Sequence, residues 1–172
     1  MVLGVAESTG TPEQRAEVLK ERIYITFTSL AVVLALGSHA AELTAAEAIR
    51  TLLIAVVGTL LAVFVADLVA HIAVHATMPD RAELRHMISV STRALGVIAL
   101  PLVFLGLAAI GRWEVATALR ASTIALIGSL VLIGYLAVRR VRLPLHQRLV
   151  VLFAEFTLGV AVVLLELLAH GA

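Results

Sequence analysis

The sequence predicts an all-α fold: a polytopic membrane protein built as a bundle of five transmembrane helices, N-terminus in the cytoplasm and C-terminus outside. Three observations carry that expectation. Hydrophobic residues make up 61% of the chain and mean hydropathy is +1.05, against roughly 45–50% apolar residues in soluble domains. The charges crowd into short segments between long apolar runs, the pattern of a chain that crosses a bilayer several times. The run from Thr51 to Ala76 is apolar except for two threonines, Asp67, His71 and His75. It is longer than the roughly 20 residues needed to cover a hydrocarbon core of about 30 Å.

Residues 1–22 are expected to form a cytoplasmic tail. Met1 to Gly10 holds too short an apolar stretch for a cleaved signal peptide. Thr11-Pro12-Glu13-Gln14 then has the spacing of a helix start, with Thr as cap, Pro in the first turn and Gln reaching back. The transmembrane domain is expected over 23–170. Span one covers about 23–40, and Ala41 to Leu43 make a tight link. Thr44-Ala45-Ala46-Glu47 repeats the capping-box spacing and opens span two, about 48–76. Gly58, Ala62, Ala66 and Ala70 recur every fourth residue of it, a seam along which another helix backbone can approach closely.

Thr77-Met78-Pro79-Asp80 breaks that helix and supplies a cap for the next. Span three, about 87–110, contains Pro101, which frees the carbonyl of Val97 and predicts a kink. Gly111 ends it, and Trp113 suits an interfacial anchor. Span four covers about 115–138. The loop RRVRLPLHQR follows, and Pro144 fits the first turn of span five, about 145–168. Ten of the thirteen Lys and Arg residues (Arg15, Lys20, Arg22, Arg81, Arg85, Arg93, Arg139, Arg140, Arg142, Arg148) fall on the side of the N-terminus and three (Arg50, Arg112, Arg120) on the other. The positive-inside rule therefore puts the N-terminus in the cytoplasm.

Ionisable groups inside such spans are costly, and they usually face protein, a partner or water. Asp67 lies roughly 7 Å below the midpoint of span two, with His71 and His75 nearer the cytoplasm. Glu155 on span five falls at a comparable depth. Asp67, His71, Glu155 and Glu166 are therefore expected to line an ion or proton pathway, since carboxylates supply a negative field and imidazoles exchange protons near neutral pH. His39, Glu42 and His170 are expected at its outer mouth. His71 and His75 are spaced i, i+4, so with Asp67 they also make a candidate ligand set for a divalent metal. The plainer expectation for all these groups is a hydrogen-bonded network that fixes helix packing.

The absence of cysteine excludes disulfides, thiolate metal sites and cysteine nucleophiles. No phosphate-cradling glycine loop, nucleophile elbow or cysteine-based zinc pattern occurs, so a non-enzymatic role is expected. The net charge is +1, and the confinement of charges to short segments between apolar runs argues against nucleic acid as a partner. The expected partners are the lipid bilayer, further copies of the chain in a homo-oligomer, and anionic lipid at Arg139, Arg140 and Arg142. Arg in place of Lys and abundant Ala point to a bacterial plasma membrane. The functional expectation is a small cation or proton channel or carrier without a cofactor. The alternatives are a metal- or haem-binding redox protein and a structural or accessory membrane subunit.

Overall fold

The computed structural model describes residues 12–139 and, beyond them, Leu149, Val150, Phe153, Thr157, Val160, Ala161 and Leu164. The described chain is all-α, with five helices: α1 Pro12–Ser38, α2 Ala45–His75, α3 Arg81–Ala94, α4 Ala99–Ala109 and α5 Val115–Arg139. These are not the five expected spans. Span three is divided between α3 and α4, and span five lies almost wholly outside the described residues. Two of the helices, α2 and α5 (over Val115–Leu136), are long and apolar enough to cross a membrane.

Helix ends follow the local sequence. Thr44 caps α2 through a complete capping box: the Glu47 carboxylate accepts the Thr44 N–H at 2.9 Å and its hydroxyl at 2.7 Å, and the Glu47 N–H returns to Thr44 Oγ1. Asp80 does the same for α3, its Oδ1 accepting the N–H groups of Ala82 and Glu83, while Glu83 Oε2 accepts the N–H of Asp80. At the end of α4 the Gly111 N–H bonds Ala108 O and the Arg112 N–H bonds Leu107 O. This is a Schellman motif, with Gly111 at φ +74° in the left-handed conformation it requires.

The helix expected to kink at Pro101 is interrupted instead. A 3-10 turn, Leu95–Ile98, joins α3 to α4, and Val97, whose carbonyl the proline cannot bond, lies inside it. Pro101 thereby falls in the first turn of α4, where its missing N–H costs nothing. The polar, two-faced helix also runs further than expected, to Ala94 rather than about Met87, which leaves 15 apolar residues from Leu95 to Ala109.

α1, α2, α4 and α5 form a ring in which α1 packs on α2, α2 on α4, α4 on α5 and α5 on α1. α3 lies at one end against α1 and α2. The core is made by Ile25, Leu30 and Val33 of α1, Ala48, Leu52 and Val56 of α2, Leu105 of α4, and Leu119 and Leu126 of α5. On α2 the buried positions are Ala45, Ala48, Leu52 and Val56. Beyond Val56 none of its residues is buried, and Leu61, Val65 and Val69 are exposed. Most buried hydroxyls bond the carbonyl one turn back, as Thr26 does to Arg22 and Ser122 to Ala118. Ser29 departs from that pattern: its Oγ is buried and has no hydrogen-bond partner among the described residues.

Candidate functional site

The short connection over 39–44 makes α1 and α2 an antiparallel hairpin, so the beginning of α1 lies beside the end of α2. The groups that α2 carries near its end therefore meet the charged first turns of α1. Asp67, Ala70, His71, Val74 and His75 recur at helical spacing and share a face of α2. Glu17 and Glu21, four apart, share a face of α1. With Met87 of α3 they line an open groove of about 270 Å³.

Charge in this groove alternates between helices. Lys20 Nζ lies 3.3 Å from Asp67 Oδ1, joining α1 to α2, and both side chains remain partly exposed, at 44% and 34%. His71 Nε2 lies 3.6 Å from Glu83 Oε2, joining α2 to α3. That contact is an ion pair only when the imidazole carries a proton. Glu83 is held in place by its bond to the Asp80 N–H. The rings of His71 and His75 stack at 4.5 Å with planes 24° apart, and His75 Nδ1 lies 3.2 Å from the backbone carbonyl of His71. Glu21 is almost fully buried at the groove wall.

Of the residues expected to form the pathway or the metal ligand set, the fold brings Asp67, His71 and His75 to one open groove. His39 and Glu42 lie at the opposite end, about 33 Å away along α2, in the exposed α1–α2 connection, where His39 Nδ1 contacts the Ser38 hydroxyl at 2.9 Å. Glu155, Glu166 and His170 lie outside the described residues, as do Arg140 and Arg142, while Arg139 closes α5. Imidazole lone pairs lie in the ring plane, so the stacked His71 and His75 do not enclose a common point between them. Among the described residues no group of three or more His, Asp or Glu side chains is arranged to hold a metal ion.

Glu17 and Glu21 line the groove, Lys20 and Glu83 contact its Asp67 and His71, and none of the four was expected there. The sequence placed the first three in a cytoplasmic tail and gave Glu83 no role. The signal that finds the first three is hairpin arithmetic: two antiparallel helices joined near residue 42 put a position about 25 residues beyond the link beside one about as far before it. Comparison with protein-family models, with curated proteins and with solved structures gives no match.

Proposed function

We propose that the chain is a small integral membrane protein that conducts or carries protons or cations as a homo-oligomer, and that the groove is the cytoplasmic vestibule of its pathway. The observation that carries this reading is the gathering of Glu17, Glu21, Asp67 and His71 from two helices into one water-open groove at the end of an apolar helix. Carboxylates concentrate cations and imidazoles pass protons. A sealed, dry contact would do neither.

Depth follows from the pairing. α2 has 31 residues and a length of about 46 Å, some 16 Å more than the hydrocarbon core. The charged turn from Glu17 to Arg22 is level with Asp67 and His71, so the slab lies towards the Thr44 end and the groove sits at headgroup level. The excess of Lys and Arg on this side makes it the cytoplasmic face. In the five-span arrangement, Glu155 and Glu166 carry the path onward through the last span.

The Lys20–Asp67 and His71–Glu83 contacts favour a second reading, a polar clasp that pins α2 to its neighbours. Flux assays in liposomes loaded with a pH-sensitive dye separate the two. On the transport reading, Asp67→Asn and Glu155→Gln assemble normally and their flux falls to that of empty liposomes. Unchanged flux in both variants, with a lowered melting temperature for Asp67→Asn, sinks the transport reading and leaves the clasp.

A further inference from the structure

α3 has two faces. At 100° per residue, Glu83, Met87 and Ala94 fall within an arc of about 40°, and this arc meets the rest of the molecule. Glu83 approaches His71, Met87 lines the groove, and Ala94 is fully buried. Arg81, Leu84, Arg85 and Ile88 occupy an arc of about 100° centred about 130° away, at the i, i+3, i+4, i+7 spacing of a single face. All four are exposed, Ile88 by 48%. Met78, exposed by 76%, and Val74 precede this stripe in the connection and the last turn of α2.

The acids of this segment are turned elsewhere. Asp80 accepts the N–H groups of Ala82 and Glu83, and Glu83 accepts the N–H of Asp80. The outward stripe thus carries two guanidinium groups and no carboxylate, and among the described residues neither guanidinium is in a salt bridge. Cations alternating with apolar side chains, at the end of a long apolar helix, suit a surface that is negatively charged outside and oily just beneath. Guanidinium groups bond phosphate oxygens in pairs, while leucine and isoleucine gain by leaving water.

We infer that α3 docks its Arg81–Ile88 stripe into the surface of an anionic phospholipid bilayer, with Leu84 and Ile88 in the acyl boundary and Arg81 and Arg85 on headgroup phosphates. The inference rests on the membrane reading above, in which α2 and α5 cross the bilayer and the groove lined by Met87 of α3 sits at headgroup level.

The chain has no cysteine, so a single nitroxide label reports from one position. Full-length protein labelled at Ile88→Cys, or at Ile54→Cys, exposed on α2 and about 14 Å along it from Ala45, is reconstituted in vesicles of phosphatidylcholine alone or with about one third phosphatidylglycerol. Power saturation with oxygen against a water-soluble nickel chelate gives the depth of each label. The Ile54 label lies in hydrocarbon in both lipids. The Ile88 label lies at the acyl boundary with phosphatidylglycerol. Its protection from the chelate falls roughly fivefold for each arginine replaced in Arg81→Gln and Arg85→Gln, and falls likewise in phosphatidylcholine alone. An Ile88 label in water while Ile54 is in hydrocarbon overturns the docking of α3 and spares the membrane reading. An Ile88 depth indifferent to lipid charge and to both arginines overturns the assignment to headgroups. An Ile54 label in water overturns the membrane reading and this inference with it.

Discussion

Ala76 and Gly111 both close a helix in the left-handed conformation, at φ 52° and 74°, and they differ by one methyl group. An L-residue with a Cβ pays about 1–2 kcal/mol there, and glycine does not. Nothing lies within 4 Å of a Cβ built at Gly111, so the cost at that position is conformational rather than steric. Ala76→Gly should therefore stabilise the protein by about 1 kcal/mol and Gly111→Ala should destabilise it by a similar amount. Thermal unfolding in detergent micelles, followed by circular dichroism, should show the two midpoints moving in opposite directions. Movement in the same direction would refute the conformational argument at both ends. Such local features were readable in advance where the partner lies within four residues, as at Thr44 with Glu47 and at the Asp80 cap. Ser29 was not readable, because whether its hydroxyl is buried without a partner depends on which helix covers it.

The link between α1 and α2 at their charged ends is a contact between elements, and its strength follows from its exposure. Lys20 and Asp67 are 3.3 Å apart with both side chains still reached by water. Solvent screening holds such pairs to about 1 kcal/mol or less. A double-mutant cycle with Lys20→Met and Asp67→Asn should give a coupling in that range that shrinks in molar salt. A coupling well above it, insensitive to salt, would mean that the pair is sealed from water and that the groove is no vestibule. The division of span three belongs to this scale too. Hydropathy alone makes Met87 to Ile110 one continuous helix. Pro101 in the first turn of α4, Val97 in a 3-10 turn and the polar length of α3 make it two shorter pieces with different surroundings.

Among the described residues of the whole molecule, much of the longest apolar helix is left uncovered. From Val57 to His75 no side chain of α2 is buried, and the seam of Gly58, Ala62, Ala66 and Ala70 is exposed along its length. Small residues in such a row let backbones approach to van der Waals contact in lipid, which is the geometry a homo-oligomer would use. On that proposal, Ala62→Cys should cross-link efficiently to a second copy in membranes under mild oxidation. Ile124→Cys on α5, exposed by 72% and remote from the seam, should not. Equal cross-linking at both positions, or none at Ala62, would refute association along α2.

The helical character of the chain, its caps at Thr44 and Asp80, its stop at Gly111 and the apolar length of α2 and α5 were determined by the sequence itself, because each depends on hydropathy and on bonds spanning five residues or fewer. Which charged groups meet was decided only by tertiary structure. From their own helix Asp67 and His71 were expected to line a pathway with Glu155, which lies outside the described residues. The hairpin register sets them beside Lys20, Glu17 and Glu21, and the α3 cap sets Glu83 against His71. Residues 47 positions apart come together because two antiparallel helices fold back about a short turn. Hydropathy along a single helix carries no record of that register.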